Sequence, residues 1–280
     1  MMERVDIAGW RFQIPDRDRM DEALLGQVLE ALDGKLGAPF RRSRHATTWK
    51  VRVADPRNIF VKQLDAPRSV ISRAKATSRA KRSVHVLRIS RKLRRFGLEA
   101  PQVLLIGTNR ESGNEVVVTS EAPGFMVTRW MNPAYHTELV LRRAILGKLG
   151  SEIARLHRSG FIHGDLTPYN VFATADDPII ITFIDNEGTE RTSQINVGRA
   201  RNRMRNLMQL GHFDIQGVSR TDKLRVFMSY ADGMDLSPKV KRRSLRKLVA
   251  MIARRRDRDA ALNTRAIQPA MIAQDRAVRG

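Results

Sequence analysis

The sequence has no cysteine, which excludes a disulfide framework and any thiolate metal site and is compatible with a reducing cytosol. Long apolar runs are missing too. No stretch approaches the length needed to cross a bilayer, and the N-terminus MMERVDIAGW has no apolar leader core, so a soluble or peripherally bound protein is expected. Acids are scarce: 29 Asp and Glu face 51 Lys and Arg, a formal net charge of +22. Such an excess predicts an anionic partner, whether phosphates of a ligand, nucleic acid or an anionic membrane face. Aromatic residues are only 6%, so stacking platforms for single-stranded nucleic acid are sparse and nucleic acid is not the expected partner. With 280 residues, 42% of them hydrophobic, the chain can bury a sizeable core in one two-lobed domain or two small ones.

The segment FIHGDLTPYNVF at 161–172 carries the clearest chemistry. His163, Asp165 and Asn170 fill the H-x-D-x-x-x-x-N frame of a kinase catalytic loop, where the Asp takes the proton of the acceptor hydroxyl and the Asn holds magnesium. An apolar, β-branched run, Pro178 to Ile184, reads as a short buried strand, and Asp185 stands at its end. That position suits a metal carboxylate, because a strand end fixes it beside the phosphates yet leaves it open to a cation. An isolated H-x-D also occurs as a capped turn. What gives the pattern specificity is the order helix, HGD, Asn, strand, Asp.

Upstream, Thr47 to Val53 and Ile59 to Leu64 read as a hairpin, with Lys62 ending the triplet FVK in the manner of the strand lysine that pairs with the α- and β-phosphates of ATP. Two expected features are absent. No G-x-G-x-x-G precedes Lys62; the turn Arg41 to Ala46 offers cations and backbone N–H groups in its place. Residues 67–98 hold eleven Lys or Arg and no acid, so the usual glutamate partner of the strand lysine is missing there. Val86, Ile89, Leu93 and Phe96 form the apolar stripe of a helix whose other face is cationic.

A second strand pair, Val103–Ile106 with Val116–Thr119, leads to Glu121-Ala122-Pro123-Gly124, where a hinge would present backbone groups to adenine; Glu121 is the nucleotide-contact candidate there. Leu141, Ile145, Leu149, Ile153 and Leu156 define a helix that delivers the catalytic loop. His157 reads as a packing and dipole residue, and His163 as a scaffold of the loop rather than the base. No A-P-E segment follows Asp185, Gly164 stands where many protein kinases have arginine, and Thr167 where a lysine is frequent. These departures favour a small-molecule or glycan acceptor over a peptide. Helices are expected near 197–211, 221–231 and 238–256, and Lys239 to Arg258 carries ten cations and one acid. Residues 1–37 show one helix, about Asp18 to Leu32, and no nameable chemistry.

These pieces predict an α+β, two-lobed protein-kinase-like fold: an N-terminal lobe over 1–120 with a β-sheet and basic helix, a helical catalytic lobe over 121–258, and a flexible tail over 259–280. FVK at 60–62, GLEAP at 97–101, LHRSGFIHGDLTPYN at 156–170 and FID at 183–185 together resemble the lipopolysaccharide kinase family, the Kdo and heptose kinases of the core oligosaccharide. TDKLRVFMSY at 221–230 adds to that resemblance. It implies ATP and Mg²⁺ as cofactors and transfer to a sugar hydroxyl of a lipid-linked core or other anionic glycan. It also implies work at the cytoplasmic face of the inner membrane, whose anionic surface would attract the cationic helices. Left open are an aminoglycoside-type small-molecule phosphotransferase, a RIO-like protein kinase, and a non-catalytic kinase fold that binds RNA or membrane.

Overall fold

The computed structural model describes residues 2–15, 20–43, 45–52, 58–66, 81–192 and 199–261. Its architecture is α+β, β-rich in the N-terminal part and helical in the C-terminal part, and it divides into two units between Ala122 and Pro123. Among the described residues no helix is long and apolar enough to cross a membrane.

In the first unit the elements are β1 (Glu3–Ile7), β2 (Trp10–Ile14), α1 (Glu22–Leu32), β3 (Arg41–Arg42), β4 (Ala46–Val51), β5 (Ile59–Leu64), α2 (Arg82–Arg95), β6 (Val103–Asn109) and β7 (Glu115–Ser120). The strands form one antiparallel sheet in the order β1-β2-β6-β7-β5-β4-β3. Phe12, Ile14, Trp49, Val61 and Val118 pack with Leu25, Val28 and Ala31 of α1, whereas Leu64, Ile106 and Val117 pack with Val86 and Leu87 of α2. A sheet covered on both faces explains why Val103 to Ile106 and Val116 to Val118 are apolar without alternation and all buried.

Residues 1–37 thus hold more than the expected helix: a hairpin that widens the sheet and a helix that covers it. That helix begins at Glu22, not Asp18, because Asp21 caps it, Oδ1 accepting the Leu24 N–H at 2.7 Å. Residues 16–19 lie outside the described residues. In α2 the buried stripe is Val86, Ile89 and Leu93; Phe96, expected to join it, is 41% exposed, since the helix ends at Arg95. The first turn of α2 has no acid and no side-chain cap of its own. Glu115, on β7, supplies one: its carboxylate accepts the N–H groups of Arg82 (3.2 Å) and Ser83 (2.8 Å) and the Ser83 hydroxyl.

The second unit contains β8 (Phe125–Met126), α3 (Val127–Met131), α4 (Leu139–Arg158), β9 (Phe161–Ile162), β10 (Val171–Ala173), β11 (Ile181–Phe183), β12 (Glu190–Arg191), α5 (Arg199–Gly211), α6 (Arg220–Gly233) and α7 (Pro238–Ala261). Ile145, Leu149, Ile153 and Leu156 are buried along α4, each contributing about 1.5–3 kcal/mol of transfer free energy. Helix α6 packs so closely on α4 that a Cβ on Gly150 would lie 2.3 Å from the Val226 carbonyl oxygen. A capping box starts α6, with Ser219 and Asp222 each accepting the other's backbone N–H at 3.0 Å. The three C-terminal helices stand where periodicity put them, the last extending to Ala261. Residues 262–280, which include most of the expected tail, lie outside the described residues.

Candidate active site

Strand β9 ends α4's turn and pairs with β12, Phe161 opposite Arg191 and Ile162 opposite Glu190. The chain after Asp185 therefore returns within a few residues to the strand that precedes the catalytic loop. Between these strands, β10 and β11 pair Val171 with Phe183, which brings the ends of the Asn170 and Asp185 segments side by side. The Ile184 N–H donates to the Asn170 carbonyl at 3.0 Å.

His163 ties the two segments together. Its Nδ1 lies 3.1 Å from the Asp165 backbone N–H, which can only donate, so Nδ1 accepts. The proton must then sit on Nε2, which donates to the Ile184 carbonyl at 3.0 Å. Burial lowers the pKa of this histidine below its ordinary 6.5, outweighing the Ile184 carbonyl and the carboxylates of Asp185 and Asp165, which raise it. A neutral ring with one fixed tautomer is what both hydrogen bonds require. His163 is the scaffold the sequence pattern suggested.

Asp165 is exposed, which the base role expected of it requires, while Asn170 is buried. The Asn170 amide donates to the Asp165 carbonyl (2.9 Å) and to Asp165 Oδ2 (3.0 Å), which aims the carboxylate and leaves the amide oxygen as Asn170's remaining side-chain donor atom toward a cation. Asp185, exposed at the end of β11, has a left-handed backbone, φ 58° and ψ 50°. For a residue with a Cβ that conformation costs roughly 1–2 kcal/mol, and the turn that follows holds it. There Asn186 is buried, donating to the Phe183 carbonyl at 2.9 Å and accepting the Thr189 hydroxyl at 3.1 Å. Asn170 and Asp185 suit a hard cation such as Mg²⁺, which binds one or two protein oxygens and completes its shell with water and phosphate. No cluster of three or more His, Cys, Asp or Glu among the described residues offers a self-sufficient metal cage.

The sequence reading missed Asn206. This buried α5 residue accepts the His163 N–H (3.0 Å) and donates to the His163 carbonyl (2.6 Å), pairing with the loop backbone as a strand neighbour would. Its Oδ1 also takes the ring N–H of His157 at 3.2 Å, whose other nitrogen receives the Tyr230 hydroxyl at 3.1 Å. Burial pushes the Tyr230 phenol up to about 12, so it remains a donor at any physiological pH. His157 is thus a packing residue with a defined job. An Asn one residue before Leu207 on the apolar stripe of α5 was the available signal.

Gly164 also gains a physical reason. A Cβ there would sit 2.4–2.5 Å from backbone atoms of Gly188, so no arginine, nor any side chain, fits. In the first unit, Lys62 stands on β5 opposite Thr48 and Val117, on the α2 side of the sheet, and α2 itself carries no acid. Glu121 accepts Asn58 Nδ2 at 2.7 Å and pairs with Lys50 at 3.3 Å, and its N–H donates to the Asn58 carbonyl. In the Arg41–Ala46 turn the Ser43 and His45 N–H groups are used internally, which removes them as phosphate donors; Arg44 lies outside the described residues. Asp165, Asn170 and Asp185 are brought together in the second unit; Lys62 and Glu121 belong to the first.

Comparison with known proteins places this geometry among kinases. The model of the lipopolysaccharide kinase (Kdo/WaaP) family matches residues 66–230. The KEOPS complex subunit Bud32 of Pyrococcus abyssi (strain GE5 / Orsay) is 26% identical over 128 residues, 46% of this chain and 55% of that protein. The chain thus spans about half the length of that curated relative. Among solved structures, WaaP in complex with acyl carrier protein superimposes with a TM-score of 0.55 at 22% identity, over 82% of this chain and 91% of that one, a likeness of fold.

Proposed function

Because this chain belongs to the lipopolysaccharide kinase (Kdo/WaaP) family, we propose that it transfers the γ-phosphoryl group of ATP to a sugar hydroxyl, of Kdo or heptose, in the lipopolysaccharide core. The observation that carries this reading is the exposed Asp165 carboxylate, pinned by Asn170 on a loop that His163 bonds to the residue before Asp185. Magnesium-bound ATP, when present, supplies the phosphoryl group and part of the charge neutralisation. Asp165 takes the proton of the attacking sugar hydroxyl. The Asn170 amide orients it, and the neutral His163 keeps the loop from shifting as charge develops. Asn170 and Asp185 would hold Mg²⁺ through oxygen, Lys62 would pair with the α- and β-phosphates, and adenine would be met by backbone groups around Glu121.

The anionic acceptor and leaflet account for the charge. Helix α7 exposes Lys239, Arg242, Arg243, Arg246, Lys247 and Arg254, and α2 exposes Arg88, Arg91, Lys92, Arg94 and Arg95. Near an anionic surface each contributes roughly 1 kcal/mol, screened beyond about 8 Å at physiological salt. The protein then works from the cytoplasm as a peripheral protein of the inner membrane. Vesicle binding through these faces should fall steeply with added salt and with charge reversal in α7.

The test of the reaction contrasts two acids. Asp165→Asn should reduce transfer by on the order of 10²- to 10⁴-fold with ATP–Mg²⁺ affinity retained, since a general base acts on the acceptor. Asp185→Ala should lose the magnesium dependence of ATP binding and activity together. Calorimetry with and without Mg²⁺, beside mass spectrometry of core oligosaccharide from cells with and without the protein, reads both outcomes. Unchanged phosphate content in those cells would reject the acceptor class.

A further inference from the structure

Resting on the kinase reading above, we propose that Arg129 is the receptor for an anionic group, carboxylate or phosphate, on the acceptor glycan. Arg129 lies on α3, a helix that packs on the Pro168–Asn170 turn of the loop carrying Asp165. Its guanidinium carbon is 3.6 Å from the centroid of the Phe125 ring and 4.7 Å from that of Tyr135. Among the described residues no carboxylate pairs with it. Several other partly covered cations of this unit do have polar partners: Arg142 bonds Asp222 and the Gly217 carbonyl, Arg225 bonds Asp222, and Lys223 donates to the Gly211 and Phe213 carbonyls.

Aromatic faces attract a guanidinium without using its N–H donors, and they hold its plane. The planar fork then remains available for two parallel hydrogen bonds to a carboxylate or phosphate, the geometry in which arginine recognises these groups best. The aromatic support is itself fixed. Phe125 pairs with Ala173 in the sheet, and Trp130 meets its ring edge-on at 5.7 Å while donating to the Ala173 carbonyl at 2.9 Å. Gly124, at φ 75°, lies so near that carbonyl that a Cβ would come within 2.1 Å. A cation oriented in this way, on a helix resting against the catalytic loop, belongs with the substrate whose proton Asp165 removes.

The experiment measures binding of deacylated core oligosaccharide to the full chain by calorimetry, and KM for that oligosaccharide and for ATP, in wild type, Arg129→Ala and Arg129→Lys. Arg129→Ala should weaken oligosaccharide binding by on the order of 10- to 100-fold, as loss of charged hydrogen bonds does, with the ATP KM unchanged. Arg129→Lys keeps the charge, loses the fork, and should fall between; it carries the test alone if the alanine variant does not fold. On oligosaccharide with its phosphates removed and carboxylates esterified, wild type and Arg129→Ala should bind equally. A rise in the ATP KM instead, or an equal loss on the neutralised oligosaccharide, overturns the assignment. A wild type that binds but transfers no phosphate rejects the kinase reading and leaves the receptor standing. Transfer by Arg129→Ala at wild-type KM rejects the receptor alone, and no binding by wild type rejects both.

Discussion

Replacing Asn206 by leucine, nearly isosteric and apolar, should be among the most damaging single changes outside the reacting groups. Asn206 is 1% exposed, so water cannot take its place. The substitution strands three buried polar groups at once: the His163 N–H, the His163 carbonyl and the His157 ring N–H. A buried group left without a partner costs about 1–3 kcal/mol, and with partial relaxation the three sum to roughly 3–6 kcal/mol. Domains of this kind are stable by only about 5–15 kcal/mol, so much of the margin would go. Urea unfolding followed by circular dichroism, at a temperature where the variant stays folded, measures this. The same sample should show kcat reduced by at least roughly tenfold, because the His163 backbone positions Asp165 and small misplacements at a reacting centre are expensive. In a double-mutant cycle with His157→Phe the two changes should be less than additive by about 0.5–3 kcal/mol, since they share one hydrogen bond. A variant that unfolds within 1 kcal/mol or so of wild type and keeps its kcat would refute the argument that Asn206 holds the catalytic loop.

Gly164→Ala should cost about 1–3 kcal/mol and reduce turnover, because its Cβ would push the Gly188 backbone, and with it the turn after Asp185, out of place; unaltered melting and rate would count against that contact. Glu115→Ala should destabilise the first unit by about 1–2 kcal/mol through loss of the α2 cap, with amide exchange accelerating in the first turn of α2 before anywhere else. The folded-state pKa of His163 lies below its ordinary 6.5, so the unfolded chain binds the extra proton more tightly and stability is lost as pH falls below 6.5 toward the folded value. His212, likewise lowered by burial, has the same sign. Urea midpoints should therefore drop between about pH 6.5 and 5, before the carboxylates titrate; a flat profile over that window would contradict a neutral, buried His163.

Much of the catalytic segment was legible because its logic is local. Asp165 and Asn170 are five residues apart and bond to each other directly, and the strand before Asp185 announces itself by an apolar run that any buried strand needs. The long helices were legible for the same reason, since their period of 3.6 is written in consecutive turns. Two-residue strands such as β3, β8, β9 and β12 show no periodicity, because pairing rather than propensity makes them. Other features have partners far along the chain. Glu115 caps a helix 32 residues upstream, Asn206 holds a backbone 43 residues away, and the glycine at 164 answers to the chain at 188. Hydrogen-bonding capacity is a property of a residue, but its partner is chosen only when the folded backbone closes those loops. The local arrangement of Asp165, Asn170 and the strand before Asp185 was therefore determined by the sequence itself, and the distant contacts that hold it were decided by the tertiary structure.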